Sequence, residues 1–112
     1  MSRSPQLPLT ETVYYILLAL LHPAHGYLIM SRVEEMSAGQ VRLAPGTLYG
    51  ALETLVKQRL IVRVPSDEPR RKVYQITEVG ADVLAQDTGR MAHLIGLFEQ
   101  AHGRGPEPGK SR

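Results

Sequence analysis

Thr47, Tyr49 and Lys57 share one stretch, Pro45 to Gln58, with two glycines, Gly46 and Gly50, and further along Arg70, Arg71 and Lys72 stand in an unbroken row. Hydroxyls, backbone amides left open by glycine and long cations are all hydrogen-bond donors. Their chemistry is that of holding an anion, not of turning one over. The other reactive types do not converge. His22 and His25 lie three apart, but Pro23 breaks a helix between them and no third ligand is near in sequence, whereas zinc needs three or four. His25 fits better as a structural hydrogen-bonding group where a helix starts. Glu34 and Glu35 are adjacent, so on a helix they point about 100° apart and cannot act together as acid and base. His93, on the last helix, is a weak hint of pH sensing. The chain has no cysteine, which excludes disulfides, thiolate zinc sites, iron–sulfur clusters and a cysteine nucleophile and fits a cytoplasmic setting. No GxSxG or P-loop occurs, and the GRGPEPG run at 103–109 lacks the strand-to-helix context of a phosphate loop. We expect no enzyme, no cofactor and no metal.

The 112 residues carry 13 Lys+Arg against 11 Asp+Glu, a net charge of +2 that hides an asymmetry. Residues 1–39 sum to −1, residues 40–76 to +4, residues 77–102 to −3 and residues 103–112 to +2. The central third is the ordered part with a positive field, where a polyanion would be met. A plain solvated face is the competing reading, and the organisation of the chain decides between them.

Apolar residues set that organisation. Thr10 can cap a first helix from about Glu11 to His22, with Val13, Ile16, Leu17, Leu20 and Leu21 on one side and Pro23 as the stop. The apolar run from Val13 to Leu21 is about half of the roughly 20 residues a membrane helix needs. It reads as a buried helix rather than a leader, although Arg3 precedes it, because no small-residue cleavage site follows. A second helix spans about Gly26 to Met36 and stops at Ser37–Gly39; after a link, Gln40 to Leu43, Pro45 opens a third, to about Gln58. Leu60 to Val64 and Arg71 to Ile76 form a β-hairpin around a turn at Pro65–Pro69. Thr77 caps a last helix with a seam of Val83, Leu84, Met91, Leu94, Ile95 and Phe98, in which Leu84, Met91 and Phe98 fall at heptad spacing. Such a stripe on a short chain seeks a partner, so a homodimer is expected. Residues 103–112 hold too little apolar content to fold and read as a disordered tail.

The order helix, helix, helix, hairpin, helix is that of a winged helix-turn-helix: mainly α with a β-hairpin wing, over residues 9–76, with a C-terminal dimerisation helix at 77–102 and the tail at 103–112. On the third helix Leu48, Ala51, Leu52 and Leu55 take one side; Gly46, Gly50, Glu53 and Lys57 take the other, flanked by Thr47, Tyr49 and Thr54. A helix face stripped to glycine and hydroxyl suits close approach to a groove, although Gly50 could instead pack on another helix and Tyr49 sit at the core's rim. Arg70, Arg71 and Lys72 at the wing can reach phosphates, unless Asp67 and Glu68 in the same turn pair with them. The alternative class is a winged-helix protein-interaction module without DNA binding.

The stretches HGYLI at His25–Ile29, LAPGTLYGALETL at Leu43–Leu55, QRLI at Gln58–Ile61 and RRKVYQITEVGADVL at Arg70–Leu84 together resemble the PadR family of bacterial transcriptional regulators, over about residues 9–85. The short C-terminal part resembles the smaller PadR-like proteins, in which a single terminal helix builds the dimer. The resemblance implies a homodimeric repressor that binds double-stranded DNA at a dyad-symmetric operator and is released by a small ligand or other signal. By position it implies a recognition helix at Pro45–Gln58, with Thr47 and Tyr49 as DNA contacts, and wing contacts from Arg70, Arg71 and Lys72; the reading of the third helix adds Pro45, Gly46, Gly50 and Lys57 to the face expected to meet DNA, and the seam of the last helix gives an expected dimer interface of Leu84, Met91, Leu94, Ile95 and Phe98. Where the family's wings usually carry a tip glycine and an aromatic pair after the basic run, this chain has Pro69 in the turn and Tyr74 alone after Val73. The tryptophan that some relatives use in an effector pocket is absent, and no effector is implied by name.

Overall fold

A computed structural model describes residues 3–102, and the tail expected at 103–112 lies outside the described residues. Helices α1 (Glu11–Ala19), α2 (Gly26–Met36) and α3 (Pro45–Lys57) precede a hairpin of β2 (Ile61–Val64) and β3 (Val73–Ile76), and the long α4 (Glu78–Ala101) follows; β1 (Ala24–His25) lies between α1 and α2. The sheet is antiparallel, in the order β1-β3-β2, with Ala24 opposite Tyr74 and Ile61 opposite Ile76. This is the winged helix-turn-helix arrangement, with β2 and β3 as the wing. Ile16, Leu17, Leu20, Ile29, Val33, Leu48, Leu52, Leu60 and Ile61 fill the core, so each of the first three helices contributes one apolar side and the root of the wing closes the fourth.

Two expectations are corrected and one strand is added. The first helix stops at Ala19, short of His22, although its apolar pattern continues. Its last carbonyls have other partners: the Arg32 guanidinium donates to the Ala19 oxygen (2.8 Å) and the His22 oxygen (3.0 Å), and the Ile76 amide donates to the Leu20 oxygen (2.9 Å). The chain freed in this way forms β1, a strand that two residues were too few to announce. Finally, Leu84, expected in the dimer seam, is 6% exposed and sits in the protomer's own core beside Val83. The first turns of α4 lie across α1, where the Tyr14 hydroxyl meets Thr88 Oγ1 at 2.7 Å, so the heptad position at 84 faces inward.

Beyond that crossing α4 leaves the body. Asp87 is the last buried residue on it, 1% exposed, with its carboxylate accepting from Arg90 Nε at 2.7 Å. After it Leu94, Ile95, Leu97 and Phe98 are all exposed, and Met91 is half-buried.

Candidate nucleic-acid interface

Pro45 opens α3 because its fixed φ suits the first helical position and its missing N–H leaves nothing unsatisfied there. The residue before it is Ala44, which supplies no side-chain cap, whereas Thr10, His25 and Thr77 cap α1, α2 and α4 with their own side chains. Choosing alanine over serine or threonine at such a position forgoes about 1 kcal/mol and leaves the first-turn amides of Gly46 and Thr47 free to face an anion. Leu48, Leu52 and Leu55 are buried; Pro45, Gly46, Thr47, Tyr49, Gly50, Glu53 and Lys57 are all exposed. Gly50 does not pack on another helix. A methyl group at Gly46 or Gly50 would meet nothing within 4 Å, so both glycines leave the backbone open to whatever approaches.

The wing lies beside this face. Arg70, Arg71 and Lys72 are exposed and, with Glu68, His25, Gly26, Tyr27 and Tyr49, line a cleft of about 620 Å³ between the wing, the start of α2 and α3. A second cleft of about 420 Å³ is lined by Tyr49, Glu53, Val56, Lys57, Arg63, Lys72 and Tyr74. Tyr49 and Lys72 thus border both. Pro45, Gly46, Thr47 and Gly50 stand on the outer face of α3 outside these clefts. The turn before the basic row is held by its own hydrogen bonds: the Arg71 amide donates to the Glu68 oxygen (3.0 Å) and the Glu68 amide to the Ser66 side chain at Oγ (3.1 Å). Among the described residues no ion pair engages Arg70, Arg71 or Lys72, so the acidic residues of the turn leave the three cations uncommitted.

Arg63 was visible in the sequence only as one more positive charge, and Gly26 and Tyr27 as the start of a helix within the HGYLI stretch, with no site role given to either. A basic residue on the strand that leads into the wing is the signal that could have found Arg63. His25 is placed at the seam of all three parts. It pairs with Val73 across the sheet, and its Nδ1 accepts the Leu28 amide at 3.4 Å, capping α2. Burial, then the neighbouring charges of Arg71 and Arg32, push its pKa below the ordinary 6.5. The unfolded chain therefore binds this proton more readily, and stability contributed by neutral His25 is complete above the ordinary value and is lost as pH falls through the lowered one. Melting temperature should decline on acidification below 6.5, and His25→Asn, a capping residue that does not titrate, should flatten that decline. An unchanged pH slope in the variant would remove His25 as its source.

A family model described as transcriptional regulator PadR-like matches residues 16–86. An uncharacterised 37.1 kDa protein of a Streptomyces fradiae transposon is 39% identical over 80 residues, which is 70% of this chain but 22% of that relative's length. Among solved structures, a PadR family regulator from Clostridium difficile is 26% identical, covering 78% of this chain and 95% of its own at a TM-score of 0.62. A PadR family regulator from Eggerthella lenta is 23% identical, covering 80% of each chain at a TM-score of 0.66.

Proposed function

The chain belongs to the PadR-like family of transcriptional regulators, and we propose that it acts as a homodimeric repressor of an inverted-repeat operator. The observation that carries this reading is the placement of an uncapped, glycine-opened helix start and three uncommitted cations on one side of the molecule, joined by Tyr49. In this reading the start of α3 enters the major groove: Gly46 and Gly50 admit the backbone, Thr47 and Tyr49 reach base edges or sugar-phosphate, and Lys57 follows the strand. Arg70, Arg71 and Lys72 hold phosphates alongside and set the register. The helix at 77–102 pairs two copies of the 9–76 domain through Met91, Leu94, Ile95 and Phe98, which implies half-sites about one helical turn apart, ~34–36 Å. Release would come from a small ligand or another signal that alters this pairing. Among the described residues no helix is long and apolar enough to cross a membrane, and we place the protein in the cytoplasm with the DNA it reads.

Selection of bound duplexes from a random library tests the reading, run beside an Arg70→Ala/Arg71→Ala variant at several salt concentrations. An inverted repeat should be enriched by the native protein. Removing one cation that neutralises a phosphate should reduce the slope of log affinity on log salt by about 0.9; a dimer of the double variant lacks two such cations in each protomer, so it should bind more weakly and with a slope shallower by about 3.6. A folded protein that enriches no duplex would instead favour a winged-helix module that binds a protein partner.

A further inference from the structure

We propose that Gly26 is a positioning residue for DNA recognition, acting through Tyr49, an inference that rests on the DNA-binding reading of α3 and the wing. Gly26 is buried at the first position of α2, directly after the strand residue His25. The far end of the Tyr49 ring lies over it: a Cβ on Gly26 would stand 2.5 Å from the Tyr49 hydroxyl oxygen, 3.0 Å from Cζ and 3.1 Å from Cε1. Nothing in the backbone calls for glycine here. Among the described residues Gly39 is the glycine with positive φ, and position 26 is an ordinary helical one where alanine would lower the conformational cost. The missing side chain therefore serves the tyrosine. Gly46 and Gly50 are the opposite case, since their absent Cβ atoms face open space.

The seat matters because of what Tyr49 joins. Tyr49 lines both clefts, the first together with Arg70, Arg71 and Lys72 and the second together with Lys57, Arg63 and Lys72. His25, the neighbour of Gly26, pairs in register with Val73, the first residue of β3 after the wing's turn. Gly26 thus fixes the Tyr49 ring against a point that is itself fixed to the wing, so the tyrosine is held at one distance from the basic row before DNA arrives. A half-exposed tyrosine on a single helix would otherwise sample several rotamers and lose that freedom on binding. A methyl group at 26 would not break the core, because the atoms it meets belong to the free end of a side chain that can swing outward.

The test is a cycle of Gly26→Ala, Tyr49→Ala and the double variant, read two ways. In the free protein, nuclear Overhauser contacts between the Tyr49 ring and residue 26 report the seat. Binding is measured to the duplex enriched by the native protein and to a scrambled duplex of equal length. Gly26→Ala should keep the oligomeric state, displace the ring and weaken binding to the enriched duplex by about tenfold with little change on the scrambled one. In the Tyr49→Ala background the same alanine should change binding by less than about twofold, because the side chain it acts through is gone. Should Gly26→Ala alone melt early, that background answers as well, since there the alanine should be neutral to the melt. A loss of equal size in both backgrounds, or a displaced ring with undiminished specific binding, overturns the inference and leaves the DNA reading standing. A native protein that enriches no duplex overturns that reading and this inference with it.

Discussion

Leu94→Glu should convert the protein to monomers in sedimentation while leaving its thermal unfolding cooperative. Leu94 lies where α4 has already left the body, with Ile95, Leu97 and Phe98 exposed around it and Phe98 stacked on His102 at 4.2 Å between ring centroids. Within one protomer the side chain is half in water, so a carboxylate there disturbs little. In a pair of α4 helices it would be covered. Each protomer would then forfeit roughly 1.5–3 kcal/mol of apolar burial and bring in a charge without a partner, and symmetry doubles both effects. A combined loss of about 5 kcal/mol raises the dimer dissociation constant by more than about a thousandfold. DNA affinity should fall with it, because a monomer engages one half-site and forgoes the gain of about 100-fold or more that linked binding provides. A dimer that persists in Leu94→Glu would place the interface on another surface.

That prediction uses the part of α4 that sequence spacing described well, and Leu84 shows where spacing stops. Leu84, Met91 and Phe98 recur every seventh residue, yet only the later positions are open to a partner. A heptad states which residues share a helix face, not which body that face meets. The same limit governs the other differences. The boundaries of α2 and α3 were legible because local chemistry sets them, through Pro45 at one start and the Ser37–Gly39 stop, where Gly39 takes a φ of +81°. The end of α1 was not, because Arg32 and Ile76, distant in sequence, take its carbonyls. The outward face of α3 could be read from its 3.6-residue period, whereas the seat of Tyr49 on Gly26 joins residues on two helices that no period relates. In the wing, adjacency suggested that Asp67 and Glu68 could neutralise the arginines; the turn's own hydrogen bonds hold them without an ion pair.

Among the described glycines, Gly80→Ala should be the most damaging substitution, and Gly89→Ala, on the same helix, should be harmless or stabilising. Gly80 sits at the junction where the C-terminal end of α3 meets the start of α4. There Leu60 donates its amide to the Leu55 oxygen and Arg59, at a φ of +64°, donates to the Val56 oxygen, the paired bonds that close a helix end. Thr77 then locks onto this end, donating its amide to the Leu60 oxygen (3.0 Å) and its hydroxyl to the Arg59 oxygen (2.7 Å), while accepting the Gly80 amide (3.0 Å). A Cβ on Gly80 would overlap the Leu60 carbonyl oxygen and stand 2.8 Å from Ile76 Cγ1. Leu60 is held by its amide to Leu55 and by its carbonyl to Thr77 and cannot retreat, so α4 would have to lift and surrender its cap. Overpacking with loss of these bonds should cost about 3 kcal/mol, a large share of the 5–15 kcal/mol typical of a domain, and lower the melting temperature by roughly 15 °C. Gly89 has nothing within 4 Å of its would-be Cβ, and there alanine should gain up to about 1 kcal/mol of helix propensity. The contrast has a functional edge, because the Gly80 junction is the rigid link between the helix that would read DNA and the helix that would pair two copies. Substitutions that loosen it without unfolding the core, such as Thr77→Val, should broaden the half-site spacings enriched from a random library. If Gly80→Ala melted like the native protein, that link would be more compliant than its packing implies, and operator spacing would have to be set elsewhere.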